Sequence, residues 1–540
     1  MRVLVTESLS EPGLQILREA AHVDVRPGLT PDELAAIIGE YDAMVVRSAT
    51  QVTAALLGEG CRLRVVGRAG TGVDNIDVAA ATRKGVVVVN APAANSNAVA
   101  EHTIALMLAL ARRIYPAVAS LKAGRWEKRA LDGFEVRDKT LGLVGLGRIG
   151  MLVASKARGL QMRVVAHDPY ISPERVASAG VELASLEEVL RCADFVSVHT
   201  PLSPDTRGMI GARELAMLKP TAYLLNCARG GIVDEEALRQ ALERGELAGA
   251  ALDVFKEEPA TGNPLIGLPN VIATPHLGAS TAEAQEHVAV DVAQAVVDVL
   301  AGRIPEGPVN LPYVPAKAVE FLRPYIDLAS RLGSFFVQWR AELSGGLELV
   351  YAGDICEYDT RVLTSAFLAG LLAPVSDGPV NLVNAAQRAE ERGLVVSEAR
   401  LGSGTHFGSL ITARFADRHK SSASEPKDIS GALIQGEPHL VGLDGQRLDC
   451  IAAGQMLVDL HHDRPGIVGR MGQVLGQAAI NISFVQMSRV ARGGASIMIL
   501  GLDESVPPEL MPRFLEVPNV QRVCMVNLPS YNGYLEGDAQ

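Results

Sequence analysis

One ten-residue segment, LGLVGLGRIG at 141–150, constrains the fold of this chain more than any other stretch. It places Gly145, Gly147 and Gly150 in the pattern GxGxxG, directly after an apolar run and at the start of a helical pattern. The first glycine permits a tight turn, the second lets the backbone approach a pyrophosphate, and the third lets helix and strand pack closely. The unpaired N–H groups and the positive dipole end of that helix would face the phosphates. The segment therefore predicts a strand–turn–helix unit of a doubly wound α/β fold, with a dinucleotide as the ligand.

Short apolar runs alternate with helical patterns on both sides of this segment. On its N-terminal side, helical patterns begin near Glu11, Pro31 and Thr53, and apolar runs lie at 3–6, 42–46, 64–67 and 86–89. A long helical stretch at 97–113 interrupts the alternation. The alternation then resumes with apolar runs at 141–145, 163–167, 195–198, 222–226, 249–254 and 270–274. Because strands that alternate with helices form parallel sheets covered on both faces, the pattern predicts two doubly wound, Rossmann-like domains.

Length and charge limit the classes of function. The chain has 540 residues, which at roughly 150 residues per domain suggests three or four domains. The 50 basic and 62 acidic residues give a net charge of -12. Binding to nucleic acid or to an anionic membrane needs a positive surface, so we expect neither partner. A small anionic substrate would need a local cluster of arginines.

The sequence predicts neither a metal site nor a membrane segment. The six cysteines are scattered without CxxC spacing, which indicates neither a zinc site nor a disulfide framework. The opening MRVLVTES lacks the basic and apolar regions of a secretory signal. The longest apolar run, 103–111, is too short to span a bilayer. A cytoplasmic location is the expectation.

The pattern changes after residue 304. Residues 304–317 carry four prolines and indicate an interdomain linker, residues 322–339 read as helical, and residues 419–428 read as a polar exposed loop. The tail predicts a strand at 456–460, a loop at 461–466, a helix at 467–479 and strands at 481–488 and 496–502. This βαββ order is typical of a small α+β sandwich.

Asp168 is the candidate for cofactor choice. It lies eighteen residues past Gly150, at the end of the next predicted strand. A carboxylate there accepts hydrogen bonds from the adenine-ribose hydroxyls and repels a 2′-phosphate, which favours NAD over NADP. The alternative is an aspartate that only caps the turn before Pro169.

Three further residues each follow a predicted strand of the second domain. Arg229, Glu258 and His276 come after the apolar runs that end at 226, 254 and 274. Because the carboxyl ends of parallel strands meet at one edge of a sheet, we expect the three side chains to share a cleft. A cation can hold a substrate carboxylate, and a histidine oriented by a glutamate can exchange a proton near neutral pH. The alternatives are a surface arginine, a loop glutamate before proline and a loop histidine.

Seven stretches carry a resemblance to a known family. They are VRSAT, GRAGTGVDNID, LGLVGLGRIG, HTPLSPDTRGMI, NCARGGIVDEEAL, ALDVFKEEP and PHLGAS, and together they resemble the D-isomer-specific 2-hydroxyacid dehydrogenases over residues 1–305. The resemblance implies an NAD-dependent oxidoreductase. It also implies a discontinuous substrate-binding domain, 1–95 with 285–305, around an NAD-binding domain at 96–284.

The resemblance assigns roles to individual residues. Arg229 would hold the substrate carboxylate and the C2 oxygen, His276 would take the hydroxyl proton, and Glu258 would support His276. The substrate carboxylate would also meet N–H groups of the turn formed by Gly70, Thr71 and Gly72. Candidates for a substrate phosphate are Arg47, Arg68, Arg125 and Arg129, for which solvated surface positions are the alternative. The implied NAD contacts are Thr71, Gly145, Gly147, Arg148, Ile149, Gly150, Asp168, Thr200, Cys227, Arg229, Asp253, His276 and Gly278.

The C-terminal part narrows the resemblance to the long-form members of the family. Residues 311–450 resemble their intervening domain, and HHDRPGIVGRMGQVLGQAAINI opens a segment, 455–530, that resembles an ACT regulatory domain. Both would be α+β folds. The resemblance implies 3-phosphoglycerate as substrate, L-serine as effector at His461, Asp463 and Asn481, and a homo-oligomer, either tetramer or dimer. For Asp463 and Asn481 the alternative is a helix cap and a turn closure.

Two rival functions stay open at this point. A glyoxylate or hydroxypyruvate reductase would share the catalytic stretches, but such enzymes usually lack the C-terminal extension. An NAD-sensing corepressor would share the fold, but the sequence identifies no groove for a protein partner.

Overall fold

The computed structural model describes residues 1–530 except 173, 175, 177, 178, 341–344, 403–405 and 417–427. Residues 419–427 of the predicted polar loop therefore lie outside the described part of the chain. Within the described part, the chain forms sheets of five, seven, six and four strands in succession.

The first sheet is parallel throughout, in the order β2-β1-β3-β4-β5. Its central strands are buried on both faces because helices cover each side, and Val3 and Leu4 are both 0% exposed. Thr30 and Glu33 form a capping box that starts the second helix. The elements are β1 Arg2–Val5, α1 Glu11–Ala20, β2 His22–Val25, α2 Pro31–Ile38, β3 Ala43–Val46, α3 Ala54–Glu59, β4 Val65–Arg68, α4 Val78–Lys84 and β5 Val87–Asn90.

The second sheet is also parallel, in the order β12-β11-β10-β9-β6-β7-β8. Its elements are α5 Ser96–Ala111, α6 Ile114–Lys122, β6 Thr140–Val144, α7 Arg148–Gly159, β7 Arg163–His167, β8 Glu182–Leu183, α8 Leu186–Cys192, β9 Phe195–Val198, α9 Ala212–Leu215, β10 Tyr223–Asn226, α10 Glu235–Glu243, β11 Gly249–Leu252 and β12 Val271–Ala273. The strand order reverses between β6 and β9. Ligands of doubly wound folds bind outside the carboxyl ends of the strands at such a point.

One long helix, α11 (Ala282–Leu300), returns from the second sheet to the first. Val292 and Val296 on this helix share an apolar core with Val3 and Val65. A Cβ at Gly67 in β4 would lie 2.7 Å from Val296, so the glycine permits this close approach. The helix therefore ties the segment after the second sheet to the first sheet.

The predicted linker is anchored to the first sheet. Val309 N donates to the carbonyl oxygen of Val88 at 2.8 Å, and the Asn310 side chain accepts from Val88 N at 2.8 Å. The linker therefore lies along β5 before the chain enters the third sheet.

The third and fourth sheets form the C-terminal α+β units. The third has the order β14-β13-β15-β16-β17-β18, and the fourth, which is antiparallel, has the order β20-β21-β19-β22. The elements are α12 Ala316–Arg340, β13 Gly346–Gly353, α13 Arg361–Leu372, α14 Ala385–Glu391, β14 Val395–Leu401, β15 Ser409–Ala416, β16 Asp428–Ile434, β17 Glu437–Leu443, β18 Gln446–Ile451, β19 Gly454–His462, α15 Ile467–Gln477, β20 Ile482–Arg489, β21 Ala495–Leu502, α16 Met511–Leu515 and β22 Val520–Leu528.

The predicted fold class is confirmed, and the structure corrects three details. In the first two sheets, strands β2 and β8 were not predicted, because β2 is a partly exposed edge strand with polar residues and β8 has two residues; the strands of the third sheet and β22 of the fourth were not predicted either. The predicted helix at 97–113 ends at Ala111, since Arg113 has a positive φ of 51° and starts α6. The predicted loop at 461–466 begins later, because His461 and His462 continue β19.

The described residues hold neither a cluster of metal ligands nor a single helix that could cross a membrane. They contain no group of three or more His, Cys, Asp or Glu side chains placed to hold a metal ion. No single described helix is long and apolar enough to cross a membrane, although α5 and α6 pass that test as a pair bent by 66°.

Candidate active site

His276 and Glu258 form a hydrogen-bonded pair. His276 Nδ1 lies 2.9 Å from Glu258 Oε2, while Glu258 Oε1 accepts from Phe255 N at 3.0 Å. The backbone of His276 has φ 58°, a left-handed conformation that non-glycine residues rarely adopt. Since β11 and β12 are neighbouring strands, the loops that follow them bring the two side chains together, as the sequence predicts.

Asp253 holds the loop that carries His276. Its carboxylate accepts from Thr274 Oγ1 at 2.6 Å, Leu277 N at 2.7 Å and Gly278 N at 2.8 Å, and His102 Nε2 lies 3.3 Å away. Burial alone would raise the pKa of Asp253, but the hydrogen bonds from His102, Thr274 and the loop N–H groups outweigh it and lower that pKa. Asp253 therefore stays ionised and fixes the position of the loop.

Arg229 lies at the boundary between the first two sheets. Its Nε donates to Asp74 Oδ2 at 3.0 Å, and its Nη1 donates to the carbonyl oxygen of Ala228 at 2.7 Å. A Cβ at Gly72 would lie 2.0 Å from Arg229 Nη2, so the glycine turn lies directly against the guanidinium. A Cβ at Gly230 would lie 1.9 Å from the carbonyl oxygen of Phe255, so the Arg229 loop also packs against the Glu258 loop.

Two more arginines lie beside Arg229. The pKa of Arg68 is lowered, first by burial and then by the positive charges of Arg229 and Arg47. Arg68 folds over Gly70, whose added Cβ would lie 1.4 Å from Arg68 Nη1. Arg47 donates to Gln285 through Nη2 and to the carbonyl oxygen of Ser8. Three cations thus converge on one cleft, where an anion would be stabilised.

The other residues predicted to bind the substrate are Thr71, Arg125 and Arg129. Thr71 Oγ1 donates to Asn95 Oδ1 at 2.7 Å. Arg125 pairs with Glu127 at 3.1 Å, and Arg129 lies in an exposed 3-10 turn, Lys128–Leu131. The structure therefore brings Arg47 and Arg68 to Arg229 but places Arg125 and Arg129 on a separate surface segment.

The glycine segment forms the predicted strand–turn–helix unit. Gly145 has φ +96°, and a Cβ there would lie 2.7 Å from the carbonyl oxygen of His199. A Cβ at Gly150 would lie 2.4 Å from the carbonyl oxygen of Gly145, while a Cβ at Gly147 would meet nothing within 4 Å. Gly147 is the N-cap of α7 and offers no capping side chain. The helix N-terminus is therefore open to a pyrophosphate, which these glycines fit.

Asp168 faces the glycine turn from the end of β7. Its Oδ2 accepts from Leu146 N at 2.8 Å and its Oδ1 from Tyr170 N at 2.9 Å. The carboxylate therefore closes a turn and lies beside the glycine turn, while its contact with a ribose stays a prediction. Arg148 at the start of α7 donates to the carbonyl oxygen of Pro92 at 3.4 Å, and Ile149 packs partly buried on the core of the second sheet.

Thr200 and Cys227 lie at the ends of β9 and β10. Thr200 Oγ1 is buried with no hydrogen-bond partner among the described residues, which a bound polar group would supply. The neighbouring His199 is desolvated, which lowers its pKa to about 4 and keeps the ring neutral. Burial raises the pKa of the Cys227 thiol to about 12, so Cys227 acts as a small apolar side chain rather than a nucleophile.

Four residues of this cleft were not singled out from the sequence. His102 and Gln285 lie on helices α5 and α11, far along the chain from the loops they contact. Glu7 accepts from three N–H groups of the Arg47 loop, and Asp74 pairs with Arg229. Asp74 lies inside the quoted stretch GRAGTGVDNID and could have been found there, whereas the other three depend on tertiary contacts.

The predicted effector residues lie in the C-terminal unit that contains the fourth sheet, His461 in β19 and the other two in loops beside α15. His461 is 1% exposed, and its Nδ1 lies 2.5 Å from Oδ1 of the buried Asp459. Asp463 accepts from Arg489 Nη1 at 2.8 Å, and Asn481 Nδ2 donates to Asp503 Oδ2 at 2.6 Å. Asp463 and Asn481 thus lie at the two ends of α15, while His461 lies inside the sheet unit.

Comparison with protein families gives three matches. Residues 104–278 match the D-isomer-specific 2-hydroxyacid dehydrogenase NAD-binding domain, residues 321–444 the D-3-phosphoglycerate dehydrogenase intervening domain, and residues 455–519 the ACT domain.

Individual relatives agree with the family matches. The chain is 43% identical to a D-3-phosphoglycerate dehydrogenase of Methanocaldococcus jannaschii over 98% of this chain and 100% of the relative. It is 39% identical to the Bacillus subtilis D-3-phosphoglycerate dehydrogenase over 98% of this chain and 100% of the relative. Among solved structures it resembles a D-lactate dehydrogenase of Aquifex aeolicus complexed with NAD and lactic acid, with TM-score 0.52 and 28% identity over 56% of this chain and 96% of the other.

Proposed function

Because this chain belongs to the D-3-phosphoglycerate dehydrogenases, within the D-isomer-specific 2-hydroxyacid dehydrogenase family, we propose that it oxidises 3-phospho-D-glycerate to 3-phosphohydroxypyruvate with NAD. The reaction is the first step of phosphorylated L-serine biosynthesis. The observation that carries the choice of substrate is that Arg68 and Arg229 lie against the same Gly70–Gly72 turn, with Arg47 near enough to lower the pKa of Arg68, while Gly230 packs the Arg229 loop against Phe255 of the Glu258 loop. A substrate with both a carboxylate and a phosphate suits three cations.

The cofactor is NAD, which accepts a hydride from C2 of the substrate. We infer that the pyrophosphate lies at Gly147 and the N-terminus of α7, where the chain leaves open space. Asp168 receives the adenine ribose, and its negative charge repels the 2′-phosphate of NADP. Thr200 Oγ1 gains the hydrogen-bond partner that it lacks within the described chain.

The chain's own side chains position the substrate and move the proton. Arg229 holds the substrate carboxylate and polarises the C2 oxygen, with Gly72 N–H beside it. His276 takes the hydroxyl proton through Nε2, because Nδ1 is engaged by Glu258. The Glu258 carboxylate then stabilises the imidazolium that forms. Arg47 and Arg68 hold the phosphate in this proposal.

A substrate panel tests this function. NADH production should be fast with 3-phosphoglycerate, slow with D-glycerate, and absent without substrate. NADPH production with NADP should be much slower. A glyoxylate or hydroxypyruvate reductase would instead consume NADH with those oxo acids and ignore 3-phosphoglycerate. A protein that binds NADH and turns over none of these substrates would contradict an enzymatic role.

The fourth sheet supports a feedback site. Its ACT match supports an amino-acid effector, and we propose L-serine, the end product of the pathway. Asp463 and Asn481 offer a carboxylate for the ammonium group and an amide that both donates and accepts. His461 is 1% exposed and pairs with the buried Asp459, so it would support the site from inside the sheet unit rather than touch the effector.

Two surfaces support a homo-oligomer. Helix α6 and the segment after it expose large apolar side chains, namely Ile114, Tyr115, Val118, Leu121 and Trp126. Strand β20 is an edge of the fourth sheet and exposes Val485 and Met487. Edge strands and apolar patches of this kind favour pairing with a second copy of the chain. A dimer would use one surface and a tetramer both.

A further inference from the structure

Asp74 places a carboxylate inside the cationic cluster, and the proposed mechanism gives it no role. It accepts from Arg229 Nε at 3.0 Å, and its side chain is 65% exposed. Its negative charge also acts on Arg68 and opposes the lowering of that residue's pKa. The protein therefore supplies its own anion at the place where a substrate carboxylate is expected.

Glu7 is a second carboxylate near these arginines, and it binds backbone N–H groups. It accepts from the backbone N–H groups of Arg47, Ala49 and Thr50 at 2.8, 3.2 and 3.1 Å. Burial alone would raise the pKa of Glu7, but these hydrogen bonds outweigh it and lower that pKa. Glu7 is thus a fixed part of the Arg47 loop. In the described part of the chain, the hydrogen bond of the Asp74 carboxylate is to a side chain, which can open.

Two of the three side-chain nitrogens of Arg229 already donate to protein groups. Nε donates to Asp74 and Nη1 donates to the carbonyl oxygen of Ala228. Nη2 packs against Gly72. A substrate carboxylate that binds Arg229 in bidentate fashion needs two neighbouring donors. A carboxylate that binds the Nε–Nη2 edge must therefore take Nε from Asp74 or share it, and one that binds Nη1 and Nη2 meets a guanidinium whose charge Asp74 already offsets. Asp74 follows β4 of the first sheet and Arg229 follows β10 of the second, so this ion pair also crosses the cleft.

We propose that Asp74 pairs with Arg229 before substrate binds and competes with the substrate carboxylate for it. This inference rests on the proposed function. A site that is only partly available binds its ligand with an affinity reduced by that fraction. The pair is exposed, so its opening costs little and the competition changes affinity by a modest factor. Because phosphorylated and unphosphorylated 2-hydroxy acids both carry this carboxylate, the competition should weaken the binding of both.

The test is the steady-state kinetics of Asp74→Asn with 3-phosphoglycerate and with D-glycerate. Removing the charge should lower KM for both substrates by about two- to five-fold, the range of an exposed ion pair, and leave kcat within about two-fold. Asp74→Glu restores the charge and should return KM toward that of the unmodified enzyme. Glu187→Gln breaks a comparable exposed pair with Arg191 on α8 and should change neither constant.

The outcomes separate this inference from the function. A raised KM or a large loss of kcat in Asp74→Asn, with its thermal unfolding unchanged, would show that Asp74 orients Arg229 for catalysis and would overturn the competition. An unchanged KM would also overturn it. Failure of the unmodified enzyme to oxidise 3-phosphoglycerate would instead contradict the proposed function.

Discussion

His276 shows how a backbone conformation and one hydrogen bond give a side chain a single chemical role. Its positive φ of 58° is strained for a histidine, and such strain persists where the surrounding structure imposes it. Glu258 engages Nδ1 at 2.9 Å, which leaves Nε2 to exchange a proton. The residue pattern predicts this pair from two strand ends, whereas the backbone strain could not be read from the sequence.

We expect His276→Ala to lower kcat by about two to four orders of magnitude with little change in NADH affinity, because it removes the proton acceptor. Glu258→Gln should cost less, since the amide can still orient the ring through Nδ1 but carries no charge to stabilise the imidazolium. Steady-state kinetics from pH 5 to 9 and NADH fluorescence titration measure both effects. His287→Ala, on helix α11, is the matched control and should retain turnover. Near-normal turnover of His276→Ala would reduce His276 to a loop residue.

At the scale of elements, parallel strand order explains why the site could be predicted. Arg229, Glu258 and His276 follow β10, β11 and β12, which are neighbours in one sheet. Apolar runs reveal such strands, so their shared edge follows from topology alone. The contacts that hold the loops could not be predicted, because His102 reaches Asp253 and Thr274 from α5, some 150 positions earlier in the chain. Packing of distant segments decides such contacts.

Asp253→Asn should loosen the loop that carries His276. The amide replaces one of the two carboxylate oxygens by a donor, which then faces the N–H group of either Leu277 or Gly278, and one unsatisfied buried group costs about 1–3 kcal/mol. We expect the free energy of unfolding at pH 7 to fall by that amount and kcat to fall as well. Because the pKa of Asp253 is lowered in the folded state, its stabilisation is present at neutral pH and lost as pH falls through that lowered pKa.

Urea unfolding of Asp253→Asn and of the unmodified chain at pH 7 and in acid measures this difference. The gap between them should narrow in acid. Asp298→Asn breaks an ion pair with Arg303 at the end of α11 and serves as the control, with kcat unchanged. A stability gap that widens on acidification would show that Asp253 is not the ionised anchor of the loop.

At the scale of the whole molecule, contacts link the fourth sheet to α12 and the third-sheet unit to the first sheet. Asn527 on β22 exchanges two hydrogen bonds with Gln338 on α12, at 3.0 and 2.8 Å. In the third-sheet unit, between α13 and α14, Asn381 Nδ2 donates to the carbonyl oxygen of Gly85 at 2.7 Å. Val383 in the same segment packs in the core of the first sheet. Sequence resemblance predicts the order of these units, but contacts between units depend on single surface residues and follow no periodic pattern.

These contacts decide how feedback by serine is best tested. Met456 and Val458 of β19 belong to the core that also contains α12 and the third sheet. Removal of residues after 454 would expose that core and destabilise what is left, so substitutions are the better test. Serine should bind one conformation of the protein more tightly than another, and only that difference can change turnover.

We therefore expect L-serine to inhibit the intact enzyme, and Asp463→Ala and Asn481→Ala each to raise the serine concentration needed for half inhibition by about ten-fold or more, since each removes a polar contact to a charged ligand. Arg489→Ala is the matched control, because it breaks the Asp463–Arg489 ion pair and keeps the carboxylate. It should leave inhibition in place. Serine titrations of activity, with light scattering at each concentration, measure inhibition and subunit assembly together. Inhibition that is equal in all variants would place the effector site outside the fourth sheet, because both proposed contacts would then be dispensable.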